Sequence, residues 1–132
     1  MYTMKQTCQK VGMTYEALKF YCNEGLVPNI KRDKNNHRVF DDRDVLWIMS
    51  LTCLKNCGMS IHDMKTYINL CLQGQSSIPE RKVILDALKE SLEKKINDLQ
   101  ESTDYIEKKM RFYDDVLSGK RKYYSNLIKV ED

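Results

Sequence analysis

The sequence carries five cysteines (Cys8, Cys22, Cys53, Cys57 and Cys71) and two histidines, His37 and His62. These are the side chains that bind metals or attack electrophiles, and their spacing rules out most of that chemistry. No Cys-x-x-Cys pair occurs. Cys53, Cys57 and His62 lie close together along the chain, but one helical turn presents only two of the four ligands that a closed zinc or copper site needs. No metal and no cofactor is therefore expected. Neither histidine belongs to a Ser-His-Asp set, no glycine-rich phosphate loop is present, and the chain is not expected to be an enzyme. An odd number of unpaired thiols suits a reducing compartment. The opening residues Met1-Tyr2-Thr3-Met4-Lys5 lack the charged start and apolar core of a signal peptide, and no run reaches the ~18–20 apolar residues of a membrane span. A cytoplasmic location is expected.

Charge offers a different chemistry. The net charge is +3 over 132 residues, but its distribution is uneven. Residues 1–40 hold seven Lys/Arg against three Asp/Glu, residues 41–78 three against four, and residues 79–132 twelve against twelve. All the positive excess lies in the first third, where a polyanion can be met. Taken alone, a surplus of this size is equally an ordinary solvated surface.

The elements that position these charges read as helices. Thr3 with Gln6 forms a capping-box pair, and Met4, Cys8 and Val11 repeat at helical spacing up to Gly12. Thr14 caps a second helix with Ala17, Leu18 and Tyr21 on its apolar face, which Gly25 and Pro28 terminate. Two short helices joined by a tight glycine-containing turn make a helix-turn-helix. Asn29-Ile30 and Arg38-Val39-Phe40 flank the polar stretch 31–37 and predict a small hairpin, or wing. Asp41-Asp42 opens a third helix, with Val45, Leu46, Ile48, Met49, Cys53 and Leu54 expected on its buried side. After Gly58, Ser60 and Asp63 open a fourth helix carrying Ile61, Met64, Ile68 and Leu72.

Beyond the polar linker 73–78, Pro79 suits a first helical turn, and no Gly or Pro follows until Gly119. Within this helix, 79–118, Leu92, Ile96, Leu99, Thr103, Ile106, Met110, Tyr113 and Leu117 alternate in steps of four and three. That is an unbroken heptad seam, flanked by balanced charges. A seam this long predicts a homodimer, with Leu92, Ile96, Leu99, Ile106, Met110, Tyr113 and Leu117 at its interface. An arm folded back on its own domain is the alternative. Residues 119–132 form a tail expected to be mobile or lightly packed.

Residues 1–72 resemble the MerR family of transcription regulators. The resemblance rests on Val11-Gly12-Met13-Thr14, Leu18-Lys19-Phe20-Tyr21, Glu24-Gly25-Leu26-Val27-Pro28, Arg38-Val39-Phe40, Asp44-Val45 and Gly58-Met59-Ser60-Ile61, in the family's order and spacing. It implies a mainly α chain with a winged helix-turn-helix followed by a long dimerisation helix in an antiparallel coiled coil. It also implies double-stranded promoter DNA as partner, distorted by the bound dimer so that RNA polymerase can use it. Thr14, Tyr15, Glu16 and Lys19 fall at the start of the helix that enters the major groove, while Tyr21 and Arg38 fall where the family holds phosphates. Tyr21 is alternatively a core aromatic with its hydroxyl satisfied, and Arg38 a solvated wing charge. Two positions depart from the pattern. Asn36-His37 stands where the family has Gly-Tyr, and Asn still tolerates positive φ. Cys22 stands where an acidic residue is usual.

Metal-sensing members of the family place cysteines around the dimerisation helix, and residues 72–132 contain neither cysteine nor histidine. A narrower likeness, carried by Leu51-Thr52-Cys53-Leu54-Lys55 and Leu72-Gln73-Gly74, points to the aldehyde and thiol-stress branch (the AdhR/NmlR type). It implies that Cys53 reacts with an aldehyde or an oxidant, with Cys57 as a resolving thiol. Reaction requires the thiolate. Lys55 at i+2 points away, so the sequence names no activating residue, and buried packing is the competing role for Cys53. Cys8, Cys22 and Cys71 read as packing residues. Two further readings stay open: a constitutive repressor without effector, and a coiled-coil adaptor that binds protein rather than DNA.

Overall fold

The structure, a computed structural model, describes residues 1–131. Local sequence starts and stops each short helix. Helix α1 (Met4–Val11) opens on Thr3, whose hydroxyl accepts from the Gln6 backbone N–H while the Gln6 side chain accepts from the Thr3 N–H. Gly12 closes it at φ 71°, a left-handed conformation that costs glycine nothing. Two residues later Thr14 accepts from the Ala17 N–H and opens α2 (Tyr15–Asn23).

The wing forms further along than its sequence suggests. Pro28 and Asn29 sit in a turn, so strand β1 is Lys31–Arg32 rather than Asn29-Ile30, and it pairs antiparallel with β2 (Arg38–Val39). Asp33 builds the hairpin loop: its carboxylate accepts from the Asn35 and His37 N–H groups at 2.9 Å. Asn36 takes φ 63° there, so the turn survives without glycine. Phe40 leaves the hairpin and instead exchanges two backbone hydrogen bonds with Tyr2.

Helix α3 (Asp42–Asn56) begins with a reciprocal box between Asp41 and Asp44. Lys31 reaches into that box from the wing, 2.7 Å from Asp41 and 3.3 Å from the buried Asp44 carboxylate. Helix α4 (Ile61–Leu72) starts at Ser60, which accepts from the Asp63 N–H. A single 3₁₀ turn, Gln75–Ser77, leads into α5 (Ile78–Leu117). The buried Ser77 hydroxyl sits between the Leu70 and Gly74 carbonyls and accepts from Arg81 Nε. No helix among the described residues is long and apolar enough to cross a membrane.

The chain divides into two units, Met1–Glu90 and the residues from Ser91 onward. In the first, Leu18 and Tyr21 of α2 pack with Phe40 after the wing, Ile48 and Leu51 of α3, and Met64 and Ile68 of α4, all buried. The first turns of α5 belong to this unit, since Ile84 and Leu88 pack against its core. Two expectations fail here. Leu46 (65% exposed), Met49 and Cys53 face outward, and the inward side of α3 is Asp44, Ile48 and Leu51. Helix α3 carries apolar residues on both faces, so periodicity alone misassigns its buried side. Leu72, the last residue of α4, is likewise exposed. Along the second unit the heptad positions Ile96, Leu99, Ile106, Met110, Tyr113 and Leu117 are exposed in the single chain, and Leu92 is half-buried.

The Lys31–Asp41 pair sets a pH dependence. Hydrogen bonds from Lys31 and from the Asp44 backbone hold the Asp41 carboxyl down from 3.8 to about 2, and the bond to Asp41 pushes Lys31 up. A depressed carboxylate contributes its stability above the unfolded value and loses it as pH falls toward the folded one; the raised lysine contributes below its unfolded value of 10.5. Lys31→Met should therefore lower Tm by a constant amount from about pH 5 to pH 9. The gap should close as pH falls from about 4 toward 2. A gap in thermal melts that persists at pH 2 would show that the pair does not carry the effect.

Candidate nucleic-acid interface

Helix α2 is two-sided because its apolar residues recur at helical spacing. Leu18 and Tyr21 point into the core, while Tyr15, Glu16, Lys19 and Phe20 are exposed along the opposite side. Thr14 spends its hydroxyl oxygen on the cap, accepting from Ala17 N–H, and retains its O–H as a donor. Glu16 stands in the first turn, where the helix dipole favours a carboxylate.

Three side chains tether the far end of α2. Arg38 Nη2 on β2 donates to Asn23 Oδ1 at 2.7 Å, which fixes the wing against the helix. Lys65 of α4 pairs with Glu24 at 2.7 Å. Trp47 Nε1 of α3 donates to the Leu26 carbonyl at 2.9 Å. Helix α2 and the wing are thus positioned by contacts from β2, α3 and α4.

The charges sort accordingly. Lys31 is committed to Asp41 and Asp44, and Glu24 is neutralised by Lys65. Lys19, Lys34 and Arg32 remain at the exposed surface, with Arg32 Nη1 donating to the Asn36 carbonyl at 3.0 Å. Arg38 is half-buried, and its partner is a neutral amide. At Cys22, where a carboxylate would have lain beside Arg38, burial pushes the thiol up while the Arg38 and Arg32 charges oppose that shift. Arg38 therefore keeps its positive charge uncompensated at this contact.

Tyr21 is 2% exposed, and its buried hydroxyl has no hydrogen-bond partner among the described residues. The ring is core, but its hydroxyl is unsatisfied, unlike the satisfied core aromatic expected as the alternative role. Burial raises its pKa. The Lys55 ammonium lies 5.9 Å from the Tyr21 ring centroid, consistent with the lysine turning away from Cys53. Cys53 is exposed, so it is not buried filler in this chain, and Cys57 is half-buried at the C-cap of α3. No cluster of three or more His, Cys, Asp or Glu side chains able to hold a metal ion occurs among the described residues. Phe20, Asn23 and Arg32 complete the surface, and none of them is expected there from sequence. Phe20 lies four residues after Glu16 on the exposed side, a signal available from spacing; the tie from Asn23 to Arg38 has no sequence signature.

Two helices joined by a tight turn, flanked by a two-stranded hairpin, define a winged helix-turn-helix module. The family described as MerR HTH family regulatory proteins matches residues 2–71. The chain is 36% identical over 112 residues to an uncharacterised HTH-type transcriptional regulator of Haemophilus influenzae, covering 85% of this chain and 83% of that protein. It is 34% identical over 80 residues to the HTH-type transcriptional regulator AdhR of Bacillus subtilis, covering 61% and 57%. Among solved structures it superposes on HiNmlR, a MerR family regulator lacking the sensor domain, bound to promoter DNA. That match has a TM-score of 0.75 and 34% identity, and covers 89% of this chain and 93% of HiNmlR. The chain belongs to the MerR family, a family of transcription regulators rather than enzymes.

The orphaned hydroxyl of Tyr21 makes a measurable prediction. Leaving a buried hydroxyl unpaired costs ~1–3 kcal/mol, so Tyr21→Phe should raise unfolding stability in urea by about 1 kcal/mol. A clear loss of stability would show that the hydroxyl has a partner in the folded protein.

Proposed function

We propose that this chain binds promoter DNA as a homodimer, with α2 in the major groove and the wing on the adjacent backbone. The observation that carries the reading is the Arg38–Asn23 bond, which locks an uncompensated wing cation beside the exposed Lys19 side of α2. Phosphate contacts from such cations set register, and side chains near the start of the recognition helix read base edges. Thr14, Tyr15, Glu16 and Lys19 occupy that start, and Arg38 serves as a phosphate ligand. Tyr21 joins the phosphate ligands only through a rotation that brings its sealed hydroxyl to the surface. HiNmlR, a MerR family regulator bound to promoter DNA, supports the same reading.

Dimerisation runs through Leu92, Ile96, Leu99, Ile106, Met110, Tyr113 and Leu117, heptad positions of α5 that are exposed in the single chain apart from the half-buried Leu92. The family likeness implies the output: the dimer sits between promoter elements and distorts the DNA, so that RNA polymerase can use it. Arg38→Ala should weaken binding to all duplex sequences and lower the salt slope by about one. Lys19→Ala should in addition change preference among sequences, where a good base contact is worth ~1–3 kcal/mol. Met110→Asp should sediment as a monomer and lose the gel shift. An Arg38→Ala protein with unchanged salt slope, or a Met110→Asp dimer with normal affinity, would overturn the corresponding assignment.

The exposed thiol of Cys53 supports the thiol-sensing reading, with Cys57 one turn on as resolving thiol. Addition to an aldehyde forms a sulfur–carbon bond at the carbonyl carbon, and the thiol proton ends on the oxygen, with no net oxidation. Because Cys53 faces outward, such an adduct acts on whatever the Leu46–Met49–Cys53 stripe meets on assembly, not on the core of its own chain. Cys53→Ser should bind the promoter yet fail to raise transcription after aldehyde or disulfide stress, while Cys8→Ser and Cys71→Ser respond normally. Full induction in the Cys53→Ser strain would leave a DNA-binding regulator with no thiol switch, the constitutive repressor included.

A further inference from the structure

The end of α5 and the residues that follow it carry a second concentration of positive charge. Gly119, at φ 80°, turns the chain after α5, and Lys120 N–H bonds back to the Asp115 carbonyl at 2.9 Å. The tail then packs against the helix: the Tyr124 ring lies 4.8 Å from Phe112, and the Arg121 guanidinium 5.5 Å from the same ring. Ser125 Oγ accepts from the Leu127 and Ile128 N–H groups, ordering the next stretch. The expected lightly packed tail is thus held by stacking and by its own hydrogen bonds.

Between tail and helix lies a cleft of about 830 Å³, within the range of small-molecule sites. Its lining is uneven in charge, with Lys108, Lys109, Arg111 and Arg121 facing the single carboxylate of Asp115. Tyr105, Tyr123 and Tyr124 supply flat faces and hydroxyl donors to the same space. Aromatic faces stack on planar rings, and a guanidinium matches a carboxylate with two parallel N–H donors. A cationic ligand would meet repulsion from four positive groups, and a saturated anion would leave the aromatic walls unused.

We propose that this cleft binds a small aromatic anion, a planar ring carrying a carboxylate, with Arg121 and Arg111 on the carboxylate and the ring against Tyr124 and Phe112. The proposal stands on the geometry of the second unit and is independent of what α2 and the wing bind.

The test uses the full-length protein and isothermal titration with salicylate as probe, beside salicyl alcohol (same ring, no charge) and acetate (same charge, no ring). Saturable salicylate binding is expected, with both controls much weaker. Arg121→Ala should weaken salicylate about tenfold, the worth of one charge-assisted hydrogen bond. Arg121→Lys and Tyr124→Phe, which leave the tail's packing in place, should weaken it less than the alanine variant. Tight binding of salicyl alcohol or acetate, no saturable binding, or an Arg121→Ala protein with unchanged affinity would each overturn the proposal. So would Arg121→Ala lowering duplex-DNA affinity and its salt slope while salicylate fails to bind, since that result assigns the cations to DNA.

Discussion

The N-terminal unit is organised around one buried carboxylate. Asp44 is almost wholly shielded from water, and a charge taken that far from solvent costs several kcal/mol unless it is paired and hydrogen-bonded. Its two partners come from different elements: the Lys31 ammonium from the wing, and the Asp41 N–H from the start of α3. Neither can withdraw without stranding the charge. The wing is thereby fixed against α3, β2 follows by strand pairing, and Arg38 arrives at the end of α2. The placement of the Arg38 cation beside α2 is settled some distance away, at the start of α3.

A consequence is that the exposed surface is specified from beneath. Trp47 and Lys65 anchor the segment after α2 from α3 and α4, so two other helices of this unit contribute to the pose of the second. The exposed residues themselves are lightly constrained. The scaffold thus fixes the pose of Tyr15, Glu16, Lys19 and Phe20 while leaving their side chains exposed.

Legibility followed the range of the interaction. Capping signals act over three residues, and Thr3, Thr14 and Ser60 opened helices where the sequence placed them. Gly12 and Gly25 lie just past helix ends at positive φ, as expected of residues without a Cβ. The wing slipped by about two residues because a turn at Pro28 and Asn29 and a tertiary ion pair from Lys31, not the alternation of side chains, decide where pairing starts. Helix α3 was the least legible. Leu46, Met49 and Cys53 recur as regularly as Ile48 and Leu51, and only the packed neighbours reveal which stripe faces in. The orphaned hydroxyl of Tyr21 and the stacking of the tail on Phe112 depend on residues far apart or on chain reversal, and no spacing rule announces either.

The bare stripe along α5 has a consequence for the protein's supply in the cell. A helix whose apolar side is covered only by a second copy draws part of its stability from mass action, so in the proposed dimer that stability rises with protomer concentration. At low copy number the separated chain would expose Ile96, Leu99, Ile106 and Met110 to proteases and chaperones. Abundance would then act as a threshold: below it chains are cleared, and above it they survive by finding each other.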